Sequence, residues 1–103
     1  MNQKVSDDTR ARRAQGTDRR GRGSFTEWRL APNAVIDWHR HEYPYVVVPM
    51  TSGRLVSKGR DGEVTTELVA GRSYSRSEGV EHEVHNANPF EFVFLAIEIK
   101  QRP

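Results

Sequence analysis

A chain of 103 residues has room for one domain, and a hydrophobic fraction of 35 % builds a small core with little to spare. It has no cysteine, which excludes disulfides and thiolate metal sites, and no apolar run of about 18 residues, which excludes a membrane-spanning helix. The net charge of +2 hides an asymmetry: residues 1–23 carry seven basic and three acidic groups, residues 24–103 nine and eleven, so the body of the chain does not read as nucleic-acid-binding.

Segment 1–23 is rich in Arg, Asp, Gly and Gln, and Val5 is its one β-branched aliphatic residue. Such a composition buries too little apolar area to offset its ordering entropy, so we expect a flexible basic arm. Its paired arginines, Arg12–Arg13 and Arg19–Arg20, precede no apolar stretch, which argues against a secretory or twin-arginine signal. The expected compartment is the cytoplasm.

From Ser24 the pattern changes. "FTEWRL" alternates, with Thr26, Trp28 and Leu30 on one face. "AVIDWH" alternates too, with Ala34, Ile36 and Trp38 opposite Val35, Asp37 and His39. "YVVVPM" is apolar on both faces, and "GRLVSKGRDGEVTTELVAG" reads as a hairpin about Asp61–Gly62. "FEFVFLAIEIK" is a long last strand, with Phe92 and Phe94 assigned to the core. No segment sustains a helical period, so residues 24–103 are expected to form one all-β barrel or sandwich.

All four histidines fall in two short windows, His39/His41 and His82/His85. In a strand, residues two apart share a face, so His39 and His41 project side by side, a spacing that suits two imidazoles on one metal ion. Buried imidazoles without a metal would need several hydrogen-bond partners of their own. His-x-His alone is common by chance; the second window strengthens it.

In that window, Gly71, Ser77, Gly79, His82 and Asn86 keep the spacing of the second motif of the cupin superfamily, with Ser77 in place of a proline. Asn33, His39, His41, Val46 and Gly53 follow the first motif, with Asn33 for glycine and Val46 where a glutamate is usual. The chain therefore resembles a small single-domain cupin, a β-barrel of the double-stranded β-helix or jelly-roll type. "WHRHEYPYVVVP" and "GVEHEVHN" are also similar to small cupins of β-alanine and amino-acid catabolism.

The resemblance implies His39, His41 and His82 as ligands of a divalent transition metal: iron, nickel, zinc or copper. His85, three residues after His82, is turned away by strand parity. Glu42 and Tyr45 are the oxygen donors that could replace the missing glutamate through a bulge or register slip, though a plain three-histidine site is preferred. Without the glutamate such a site keeps its full charge of +2 and open coordination positions, which points to a small anionic ligand and to dioxygenase-type chemistry. Tyr45, Val46, Tyr74 and Arg76 are the candidate pocket residues. Tyr74 and Arg76 share a face, as do Ser73 and Ser75, and either face could be the inner one; Arg54 is a further candidate partner for a carboxylate.

Three functions compete: a metal-dependent, oxygen-using enzyme, a non-catalytic metal- or ligand-binding module such as a sensor, and a metal-free isomerase or epimerase. The histidine triad weighs against the last. A homodimer is also expected. Ile36 and Trp38 lie opposite the histidine face, and one apolar set in each of "YVVVPM" and "FVFLAI" must face outward, leaving a patch for a second copy to cover.

Overall fold

The computed structural model describes residues 11–17 and 23–100. Nine strands and no helix occur among them: β1 (Ala11–Thr17), β2 (Gly23–Leu30), β3 (Val35–Arg40), β4 (Tyr45–Pro49), β5 (Gly53–Gly59), β6 (Gly62–Leu68), β7 (Tyr74–Arg76), β8 (Glu81–Asn86) and β9 (Phe92–Ile99). They form two antiparallel sheets, in the orders β1-β2-β9-β4-β7 and β3-β8-β5-β6. This is the all-β architecture that the alternating segments and turn breaks indicate, and the jelly-roll barrel that the cupin resemblance implies.

Local chemistry sets several junctions. The β5–β6 hairpin pairs Gly59 with Gly62 and turns through Arg60 and Asp61. Asn33 stands at φ 68, a left-handed conformation that asparagine tolerates, between β2 and β3. At Gly53 the constraint is contact: a Cβ there would lie 2.7 Å from Asn88 Oδ1.

The interior is built from one face of each sheet. Leu30, Ile36, Tyr45, Val47, Leu55, Leu68, Val84, Phe92 and Phe94 are buried, each large aliphatic or aromatic group contributing about 1.5–3 kcal/mol. Below them, Asn86 is 1 % exposed. Its Nδ2 lies 2.9–3.0 Å from the carbonyls of Leu30, Ala31 and Phe90, and its Oδ1 accepts from Asn88 N and Nδ2. This last position of the second motif thereby ties β8 to the ends of β2 and the loop before β9.

Two expectations about facing are corrected, and one left open is decided. Ile36 does not point outward with Trp38: it is 3 % exposed, while Trp38 is 46 % exposed. The cause is a β-bulge. Ile36 pairs with Val84 and His39 with His82, so β3 spends three steps where β8 spends two, and the parity inverts between them. In β4 the inward set is Tyr45, Val47 and Pro49, whose partners on β9 are Glu98, Ala96 and Phe94. Val46 therefore lies on the outer face, opposite to its assignment as a pocket residue.

The expected basic arm falls partly outside the described residues. The described part, Ala11–Thr17, is an edge strand paired with β2 from Ala11↔Leu30 to Thr17↔Ser24. Such pairing draws on backbone N–H and C=O groups, which a chain poor in apolar side chains possesses in full. The Phe25 ring lies over Gly16 on the neighbouring strand and occupies the space a side chain there would need.

Candidate functional site

His39 ends the bulged part of β3, His41 follows the strand, and His82 lies on β8 directly opposite His39. The backbone of His41 is clamped at both polar groups: its N–H donates to Val80 O at 2.9 Å, and its C=O accepts from Gly79 N–H at 2.7 Å. Gly79 makes that second bond from φ 93, a conformation other residues rarely adopt.

The three imidazoles present their Nε2 atoms to one another. His41 Nε2 is 3.0 Å from His39 Nε2 and 3.2 Å from His82 Nε2. The opposite ring nitrogens are engaged in two of the three: His39 Nδ1 is 2.7 Å from the carbonyl of Asp37, and His82 Nδ1 is 2.7 Å from Ser57 Oγ. A proton on each Nδ1 directs the Nε2 lone pairs inward, the arrangement that metal-binding histidines use to fix their tautomer. The bulge thus both turns His39 inward and brings the Asp37 carbonyl to its ring.

The donor set fits a transition-metal ion. Two nitrogens about 2.0–2.1 Å from a common metal stand about 3.0 Å apart at a right angle and about 3.4 Å apart at the tetrahedral angle. The two separations from His41 Nε2 fall within that interval, and the three donor nitrogens all lie within 4.8 Å of one another. Burial, with the neighbouring imidazoles and Arg76, lowers the pKa of His41 from 6.5 to about 3; burial, His39 and Arg76 lower that of His82 to about 4. Both are neutral near pH 7 and offer lone pairs rather than charge.

Around the triad is a cavity of about 70 Å³. Its inner wall is apolar, with Trp28, Leu55, Val84 and Phe94 among the lining groups; its polar side carries Tyr45, Tyr74 and Arg76. Tyr45 stacks on His41, ring centroids 3.8 Å apart and planes 16° from parallel. Burial pushes the Tyr45 pKa up to about 12 against the opposing influence of Arg76, and raises that of Tyr74. Both phenols are therefore hydrogen-bond donors at neutral pH, not phenolate ligands.

The other candidates lie outside the cavity. Glu42 is exposed and 3.5 Å from Arg40, so no bulge brings its carboxylate to the histidines. Arg54 points outward and pairs with Glu67 at 2.9 Å. His85 lies on the other face of β8 from His82, 2.9 Å from Glu83. The inward position beside His41, where the family motif carries its glutamate, belongs to Tyr45 and not Val46. Ser57 and the Asp37 carbonyl carry no sequence signal of their own, because their relation to the histidines is created by strand pairing and by the bulge.

Comparison with known proteins agrees with this architecture. The cupin domain family profile matches residues 26–98. The chain is 51 % identical over 75 residues to the β-alanine degradation protein BauB of Pseudomonas aeruginosa, covering 73 % of this chain and 79 % of that protein. The crystal structure of a cupin domain from Bordetella pertussis Tohama I is 48 % identical and superposes with a TM-score of 0.84, over 88 % of this chain and 94 % of the other. The cupin domain of an XRE family transcriptional regulator from Enterobacter cloacae, 18 % identical, shares the fold with a TM-score of 0.67 over 93 % of this chain and all of that one. With two antiparallel sheets enclosing a histidine triad drawn from both motif segments, and with that family match across most of its length, the chain belongs to the Cupin_2 family of cupin domains.

Proposed function

We propose that the protein is a metal-dependent cupin that acts on a small anionic metabolite in a catabolic route, with His39, His41 and His82 as the metal ligands. The observation that carries this reading is the convergence of the three Nε2 atoms, with two of the rings anchored from behind. A closed structural zinc site would have four protein ligands; a site of three leaves positions for a ligand. Bound iron, nickel, copper or zinc would supply Lewis acidity there, and a redox-active ion would add the capacity for dioxygen chemistry.

The chain's own residues bind and orient. Arg76 attracts an anion, the protonated Tyr45 and Tyr74 donate hydrogen bonds to it, and the apolar wall excludes water. The likeness to BauB supports a catabolic role and a compound related to β-alanine breakdown. We further propose a cytoplasmic homodimer, formed through the outer face of β4 and β9. There Val46 opposes Ile97 and Val48 opposes Leu95 in a half-buried apolar stripe, continued by Phe25 at 47 % exposure.

The test is metal analysis of protein purified without a histidine tag, followed by an oxygen-consumption screen with small carboxylates. Stoichiometric iron with substrate-dependent oxygen uptake supports the enzyme. Tightly held zinc without turnover assigns a binding module instead, and failure to retain any of the four metals overturns the site.

A further inference from the structure

The β5–β6 hairpin carries its inner face past the histidine site. Ser57 faces inward, since its Oγ touches His82 Nδ1, and directly opposed residues share one face of a sheet. Ser57 opposes Val64, Leu55 opposes Thr66 and Gly53 opposes Leu68, so Val64, Thr66 and Leu68 are the inward positions of β6. Leu68 is buried and Thr66 lines the cavity of the triad, yet Val64 is 62 % exposed. An inward valine open to solvent is a wall with nothing packed against it.

What Val64 lines is a cleft of about 410 Å³ between the hairpin and the turn at Gly79, against about 70 Å³ for the inner cavity. The two spaces meet at Ser57, Arg76 and His82, which line both. Glycines keep the cleft open. Gly59 opposes Gly62 in the hairpin and Gly79 stands across from them, and a Cβ built at Gly62 or Gly79 would meet nothing within 4 Å.

The charged groups around the cleft are mostly committed elsewhere. Arg60 lies 2.7 Å from Glu81, which Arg40 also holds at 3.1 Å. Glu63 opposes Lys58 and lies with it on the outer face. Apolar contact therefore comes from Val64 and Val80, and charge from Arg76 at the inner end. That charge bears on His41, His82, Tyr45 and Tyr74 alike.

We propose that the cleft is a distal subsite for the unbranched apolar chain of a monocarboxylate whose carboxylate lies at Arg76 and the triad, with Val64 determining specificity for chain length. The inference rests on the reading above, that the cavity takes a small carboxylate. The inner cavity has room for a few heavy atoms, a water's share of liquid volume being about 30 Å³, and the cleft for on the order of ten more. A ligand confined to the inner cavity would leave the valines uncovered.

Titration calorimetry of the full chain as purified, with propionate and hexanoate as probes, tests this. Full burial of a methylene strengthens binding about fourfold, and an open cleft covers about half of each, or about twofold per methylene. Hexanoate, longer by three, should therefore bind at least about fivefold more tightly than propionate. Val64→Ser, on an exposed edge strand, should at least halve that ratio while the melting temperature and metal content stay as in the wild type. Arg76→Gln should weaken both acids by a similar factor and keep the ratio. Propionate binding with a smaller wild-type ratio, or with a ratio that Val64→Ser does not lower, overturns the distal subsite alone. Wild-type affinities in Arg76→Gln overturn the placement of the carboxylate. Binding of neither acid overturns both this inference and the reading beneath it.

Discussion

The Tyr45 ring lies flat on the imidazole of His41, 3.8 Å between centroids. His41 stands beyond the end of β3, where the strand ladder no longer holds it, so its ring orientation depends on this stack and on the backbone clamp from Gly79 and Val80. Tyr45→Phe keeps the stack and should retain metal at the wild-type level while weakening anion binding. Tyr45→Ala frees the ring and should lower metal retention after dialysis, read by elemental analysis.

Ser57 reaches His82 from the adjacent strand, Oγ to Nδ1 at 2.7 Å. Loss of such an outer partner typically costs 10–100-fold in metal affinity, and we expect that range for Ser57→Ala in a competition titration with a chromogenic chelator. His41→Ala should abolish binding. His85→Ala, on the opposite face of β8, should change it little, and an equal loss in this variant would mean the metal sits elsewhere.

Stability of the metal-free protein should depend on pH through His41 and His82. Their folded pKa values of about 3 and about 4 lie below the ordinary 6.5. Between those limits the unfolded chain binds more protons than the folded one, so acid favours unfolding. The contribution is complete above about pH 6.5 and is lost as pH falls toward 4 and then 3. Melting temperatures of apoprotein should therefore be level from pH 7 to 8 and drop below about 6.5. His41→Ala should flatten part of that drop.

Asn86 satisfies three carbonyls from two segments, the end of β2 and the loop before β9. Each buried polar group left without a partner costs about 1–3 kcal/mol, so Asn86→Ala should destabilise by at least that amount in denaturant unfolding. A change within about 0.5 kcal/mol, the size expected of a surface site, would contradict the role assigned to it.

The proposed dimer predicts a mass near twice 11.8 kDa by light scattering at micromolar concentration. Leu95→Lys, which places a charge in the centre of the β4–β9 outer stripe opposite Val48, should return the monomer mass without unfolding the barrel. A wild-type mass of 11.8 kDa would remove the dimer altogether.

Much of the fold is legible in the sequence because strand and turn rules are local. Period-two alternation identified the strands, Arg60–Asp61–Gly62 made the hairpin, and Asn33 took the left-handed position for which a glycine is usual. The three histidines singled out by motif spacing are also those whose Nε2 atoms converge. Alternation states which residues share a face, however, and not which face is inward. That choice depends on partners remote in sequence: β9 turned Tyr45 inward and Val46 outward, and the one-residue bulge opposite β8 sent Ile36 in and Trp38 out. For the same reason the pairing of β1, the reach of Ser57 to His82 and the pairing of Tyr45 with Arg76 exist only in the folded chain. Each relates strands that are distant in sequence, and the register that aligns them is set by packing the whole barrel, not by any one segment.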